Sequence, residues 1–227
     1  MTHGYEIDDL AKEDCWRMFR IIGELVEGFD KLAGIEPAVT IYGSARLNPE
    51  DELYAETEEI AYCLGQIGFS IITGGGPGVM EAANKGALKA GVASVGLNIE
   101  LPEEQRCNAY TTKSITFNHF FARKVMLVKY ATAFVIMPGG LGTLDELTEV
   151  LTMMQTHKIK PFPVILFNSD YWKGFLEWLR VSALARGFIS EDDFKLLRVC
   201  DATNEVVEAI QMWYLKQEIG GREALLE

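Results

Sequence analysis

Two carboxylates, Asp145 and Glu146, follow the turn Pro138-Gly139-Gly140-Leu141-Gly142-Thr143 after one residue, Leu144, and Glu149 comes one helical turn later. The turn joins an apolar run, Ala133 to Met137, which predicts a buried strand, to a segment from Leu144 to Gln155 whose pattern predicts a helix. A glycine-rich strand-to-helix turn leaves backbone N–H groups unpaired at the positive end of a helix dipole, and such a terminus binds anions such as phosphate. Thr143 is expected to cap the helix and to offer its hydroxyl to the anion. Acids beside an anion site suggest chemistry on a phosphorylated ligand. For Asp145 the alternative is that it only complements the helix dipole.

Three further groups belong to this constellation. The turn Gly74-Gly75-Gly76-Pro77-Gly78 holds more glycine than a tight turn needs, which fits a backbone approached closely by a ligand, with a purely structural turn as the alternative. It is not a dinucleotide fingerprint, because Val79 stands where the third glycine is required, and GxxxxGK[ST] occurs nowhere in the chain. Arg123 and Lys124 open a predicted helix, where cations oppose the dipole; facing an anionic ligand or a carboxylate across a cleft would account for them, and a solvated basic pair is the alternative. Arg46, just after Gly43-Ser44, is a third cation at the same rim. Ser44 has no histidine at a spacing that suggests a nucleophile.

These residues need elements to hold them. Predicted strands at 39–42, 69–73, 93–99, 114–117, 133–137, 163–167 and 196–200 alternate with predicted helices at 50–65, 79–90, 120–130, 144–155, 171–184 and 203–217. Such alternation implies βαβ units: a doubly wound, mainly parallel α/β sheet of Rossmann-like type, covered by helices on both faces in three layers. Ligands of such sheets bind outside the carboxyl ends of the strands, where Gly43-Ser44, Gly74–Gly78 and Pro138–Thr143 all lie. Residues 6–30 form an additional amphipathic helix, either packed on its own domain or serving as a dimerisation or lid element. The expected organisation is an N-terminal helical extension, 1–36, one nucleotide-binding domain, 37–217, and a tail, 218–227, that frays.

With 227 residues and 48% hydrophobic content the chain can bury a substantial core. Its formal charge of −12 argues against nucleic acid or an anionic membrane as partner. Four separated cysteines and three scattered histidines show no metal-ligand spacing, so neither a metal nor another cofactor is expected. No signal-like N-terminal run is seen and no apolar segment reaches about 18 residues, so a soluble cytoplasmic protein is expected.

Taken together, Gly43-Ser44, the run from Gly74 to Asn84, Arg123-Lys124 and Pro138–Glu146 resemble the LOG ("Lonely guy") family of cytokinin riboside 5′-monophosphate phosphoribohydrolases. The last segment matches the family's PGGxGTxxE pattern at every fixed position, and the resemblance extends over about residues 38–190. It implies a Rossmann-like fold and hydrolysis of the N-glycosidic bond of a nucleoside 5′-monophosphate, with an N6-modified or plain purine as base. It implies catalytic roles for Arg123 and Glu146, and a 5′-phosphate held by Gly139, Gly140, Gly142 and Thr143. Gly43, Ser44, Gly74, Gly75, Gly76, Gly78, Lys124 and Pro138 complete the expected nucleotide-binding set, with Arg46, Asp145 and Glu149 as further candidates. Homodimers, or larger homo-oligomers, with the site near the subunit interface are implied as well.

Family members have often been labelled "possible lysine decarboxylase". Amino-acid decarboxylation normally needs an electron sink such as pyridoxal phosphate, and no motif marks a Schiff-base lysine. Base selectivity is expected within residues 97–113. A module of the same fold that holds a nucleotide without cleaving it, as a sensor or carrier, is the alternative to the enzyme.

Overall fold

The computed structural model describes residues 14–101 and 107–223. Its elements are, in chain order, α1 (Asp14–Leu32), β1 (Ala38–Tyr42), α2 (Glu52–Gln66), β2 (Ser70–Thr73), α3 (Val79–Ala90), β3 (Ser94–Ile99), β4 (Lys113–Phe117), α4 (Phe120–Lys129), β5 (Ala131–Ile136), α5 (Leu141–Gln155), β6 (Val164–Phe167), α6 (Ser169–Trp178), α7 (Glu191–Phe194), β7 (Leu197–Cys200) and α8 (Thr203–Glu223).

The seven strands form one sheet in the order β4-β3-β2-β1-β5-β6-β7, with every pairing parallel. Strands β1, β2, β3 and β6 are buried along their whole length, which is why they read as mainly apolar runs without in–out alternation. Both faces are covered. On one side Leu32 of α1, Leu127 of α4, Leu147 and Val150 of α5 and Trp172 of α6 join the strand side chains. On the other, Ile60 and Leu64 of α2, Ala83 and Ala87 of α3, and Val206 and Ile210 of α8 form a second core layer. Trp172 is 1% exposed and donates its indole N–H to the carbonyl of Phe167 at 3.0 Å, so its burial leaves no polar group unsatisfied. Burying a side chain of that size contributes about 2–3 kcal/mol.

The strand order reverses at β1, which lies between β2 and β5. Val39 is in register with Ala133 and Tyr42 with Ile136, so the chain leaves both strands at the same end, side by side. That is the crevice in which doubly wound sheets take their ligands.

Several boundaries differ from expectation. α5 starts at Leu141, three residues before the expected Leu144. The helix expected over 171–184 ends at Trp178; one π-type turn, Leu179–Ala183, and one 3-10 turn, Leu184–Arg186, follow, and Gly187 in the left-handed region (φ 72°) stops the run. α8 continues to Glu223, past the expected end at 217. The expected start of the first helix at residue 6 and residues 102–106, within the 97–113 stretch expected to select the base, lie outside the described residues.

Candidate active site

Three strand-to-helix turns meet at the crevice and brace one another. Ser44 N–H donates to the Pro138 carbonyl and Val79 N–H to the Ser44 carbonyl, each at 3.0 Å. Gly78 has φ +69°, and a Cβ there would stand 2.4 Å from the Ser44 carbonyl oxygen, so both conformation and space require glycine. At Gly139 a Cβ would lie 2.1 Å from Thr143 Oγ1 and 2.9 Å from Ser44 N. Tyr171, from α6, donates its hydroxyl to the Gly139 carbonyl and anchors the turn from outside.

The cap of α5 is Gly140, not Thr143, and no side chain caps it. Thr143 is 4% exposed and sits in the first turn of the helix, with its hydroxyl turned toward Gly139. The Gly-Leu-Gly stretch is a poor helix former, which is why the sequence pattern delays the start. The first hydrogen bond along the helix runs from Leu144 N–H to the Gly140 carbonyl at 3.0 Å. The N–H groups of Leu141, Gly142 and Thr143 thus have no acceptor within the helix, the arrangement that suits a phosphate.

A cavity of about 600 Å³ opens beside this terminus. Gly43, Ser44, Arg46, Gly140, Gly142 and Thr143 form its polar rim, Met80, Ile99, Leu101 and Phe120 an apolar wall, and Arg123 and Glu146 its charged floor. Arg123 is 8% exposed; its Nε donates to the Leu97 carbonyl at 2.6 Å and Nη2 reaches the Gly74 carbonyl at 3.5 Å. Burial pulls its pKa below the usual guanidinium range, partly offset by the negative charge of Glu146. Glu146 itself is partly buried, and loss of solvent pushes its carboxyl from the ordinary 4.5 up to about 7, against the opposing pull of Arg123. The two residues influence each other through space; among the described residues no ion pair joins them.

The remaining expected residues stand elsewhere. Gly74 packs against Arg123, a Cβ on Gly75 would meet Asn98 Oδ1 at 2.3 Å, and the carbonyls of Gly75 and Gly76 accept from Asn108 N–H (2.9 Å) and Asn108 Nδ2 (3.0 Å). Lys124 is drawn away from the cavity by two acids of α5, Asp145 at 2.7 Å and Glu149 at 3.5 Å. That triad staples α4 to α5, a partner-to-partner arrangement that explains all three residues without a ligand. Pro138 contributes its carbonyl to Ser44.

Residues outside the expected site set pack beside it. Asn84 is fully buried; it accepts from Thr73 Oγ1 (2.6 Å) and Asn108 Nδ2 (2.9 Å) and donates to Ser94 Oγ (2.9 Å). Tyr42, the last residue of β1, is stacked on Phe134 and feels both Glu146 and Arg123; burial, then Glu146, raises its phenol pKa well above normal. A buried asparagine inside an alanine-rich helix was a visible signal for the first of these; nothing in the sequence marks Tyr171.

Among the described residues no group of three or more His, Cys, Asp or Glu side chains is placed to hold a metal, and no helix is long and apolar enough to cross a membrane.

Residues 80–210 match the family model described as "Possible lysine decarboxylase". A cytokinin riboside 5′-monophosphate phosphoribohydrolase LOG of Oryza sativa subsp. japonica is 35% identical over 99 residues, covering 43% of this chain and 40% of that protein. The rice protein described as probable phosphoribohydrolase LOGL1 is 27% identical over 180 residues, 76% of this chain and 73% of its own length. Among solved structures, the molybdenum cofactor carrier protein of Chlamydomonas reinhardtii superposes with a TM-score of 0.58 at 21% identity, over 79% of this chain and 98% of the carrier, a likeness of fold. The chain thus spans about two fifths of the first rice relative and nearly three quarters of the second.

Proposed function

The chain belongs to the LOG family, and from that premise we propose that it hydrolyses the N-glycosidic bond of a purine nucleoside 5′-monophosphate, releasing the free base and ribose 5-phosphate. The observation that carries this reading is the carboxyl of Glu146, raised to about 7, sharing a cavity floor with buried Arg123 beneath the open N-terminus of α5.

The 5′-phosphate sits on the unpaired N–H groups of Leu141, Gly142 and Thr143, with Arg46 as a cation at the rim. That contact is remote from the bond that breaks and serves to fix the ribose. As the C1′–N bond lengthens, positive charge grows on the sugar, and the Glu146 carboxylate stabilises it. Water attacks C1′ and gives a proton to Glu146; the bonding pair leaves with the base, whose nitrogen takes a proton from solvent, and Glu146 returns its own proton to solvent. A carboxyl near its midpoint at neutral pH suits both taking and giving that proton. Arg123 supplies the positive field that keeps part of Glu146 ionised. The apolar wall of Met80, Ile99, Leu101 and Phe120 receives the base.

A carrier that only holds a nucleotide gains nothing from a destabilised carboxyl, so Glu146 favours hydrolysis over that alternative. The purified chain should release base and ribose 5-phosphate from AMP or an N6-substituted AMP. Glu146→Gln should lose on the order of 10²–10⁴-fold in turnover while still binding nucleotide. Absence of base release across a panel of nucleoside monophosphates would sink the proposal. A homodimer is the assembly expected, and light scattering tests it.

A further inference from the structure

The chemistry just described leaves α1 without a task, yet one buried side chain of α1 reaches the start of α4, the helix that carries Arg123. Glu24 is 9% exposed, and its carboxylate lies at the start of α4. Oε1 accepts from Asn118 N–H at 3.1 Å and Asn118 Nδ2 at 3.0 Å, and lies 3.0 Å from His119 Nδ1. Oε2 accepts from His119 N–H at 3.3 Å. His119 is the capping residue of α4, and its own side chain makes no capping bond. The acceptor for this helix start is therefore provided by another helix, 95 residues earlier in the chain. Burial would raise the Glu24 carboxyl, but the hydrogen bonds from Asn118 and His119 prevail and hold it below its usual value.

From this bracket to the cavity is one helical turn. Arg123 N–H donates to the His119 carbonyl at 3.2 Å, and Phe120 and Arg123 both line the cavity. Farther along, α1 is pressed against α4: a Cβ on Gly28 would meet Met126 Sδ at 2.7 Å, and Tyr130 OH donates to the Phe29 carbonyl at 3.3 Å. α4 is thus held by α1 at its first turn, its middle and its end.

We propose that Glu24 is a positioning residue for Arg123: by fixing the start of α4 it sets where the guanidinium stands in the cavity, which makes α1 part of the working site. The inference rests on the proposed hydrolysis for its kinetic readout and has a second readout independent of it.

The test is a double-mutant cycle in the full chain with Glu24→Ala, Arg123→Ala and the pair, assayed well below the unfolding temperature of every variant. Glu24→Ala should lower kcat about 10- to 100-fold, the scale of misplacing a reacting group by about 1 Å, with little change in KM. In the Arg123→Ala background the same change should cost nothing more, because its effect passes through Arg123. Glu24→Gln, which keeps an oxygen for the Asn118 donors, should fall between; it replaces Glu24→Ala in the cycle if the latter does not fold. An equal loss in both backgrounds, or turnover within twofold of the parent, overturns the proposal. Should the parent chain itself release no base, the hydrolase reading fails separately. Amide exchange then decides the positioning role: Glu24→Ala should speed exchange at residues 120–123 at least tenfold and leave α5 unchanged, and unchanged exchange in α4 overturns it.

Discussion

Gly74 and Arg123 are packed so closely that a single methyl group on residue 74 would stand 2.1 Å from the guanidinium Nη2. Met80 Sδ would lie at 2.7 Å, so two side-chain ends must shift while the backbone need not, and moving the buried guanidinium strains its bonds to the Leu97 and Gly74 carbonyls. Gly74→Ala should therefore keep the circular dichroism spectrum, lower the unfolding free energy by about 1–2 kcal/mol, and lower kcat by roughly 10- to 100-fold through displacement of Arg123. Steady-state kinetics beside a thermal melt separates this from general destabilisation.

The raised carboxyl of Glu146 gives two pH signatures. With the ionised form required, kcat/KM should climb as pH rises through about 7 and then level off. Stability should move the other way. The folded protein holds this proton more tightly than the unfolded chain, so the contribution is fully present below about 4.5 and is lost as pH rises to about 7. Glu146→Gln escapes that loss. In urea denaturation its stability relative to the parent should improve between pH 5 and pH 8, by up to about 3 kcal/mol.

Tyr171 touches the site only through the Gly139 carbonyl. Tyr171→Phe removes one hydrogen bond, worth about 1 kcal/mol. The expected result is a KM for nucleotide raised roughly fivefold with kcat little altered, because the turn proposed to hold the phosphate is loosened while Glu146 keeps its surroundings.

Asn84 joins Thr73, Ser94 and Asn108 in a buried polar cluster. Asn84→Ala strands those partners away from water and should lower unfolding free energy by about 2–4 kcal/mol. Chemical denaturation measures this directly, and a loss below about 1 kcal/mol would show that water takes over the lost bonds.

The strands and most helices are legible in the sequence because their cause is local. Runs such as Ala133–Met137 are apolar on both faces, and Gly43-Ser44, Gly74–Gly78 and Pro138–Thr143 mark the strand ends. Glu146 and Arg123 follow from the family pattern. The errors have non-local causes. Thr143 looks like a cap until the packing of Gly139 shows where its hydroxyl must go. Lys124, expected to face either an anionic ligand or a carboxylate, has Asp145 and Glu149 as partners, a pairing that exists only once α4 and α5 lie side by side. The bracket of Glu24 on His119 spans 95 residues and has no local signature. One local signal is present in the sequence: Ser190 and Asp193 form a reciprocal capping box that starts α7.

The neighbour relation of β1 and β5 sets a timetable for the growing chain. The partner of one edge of β1, β2, follows across one helix, but the partner of its other edge does not exist until residues 131–136 are made. Until then the first strand presents a buried-type apolar ribbon with unpaired N–H and C=O groups, the kind of edge that recruits other chains. The same event that closes this edge brings Gly43 beside Pro138 and creates the crevice. Aggregation hazard and absence of a binding site therefore end together, and a polypeptide halted before residue 131 has both.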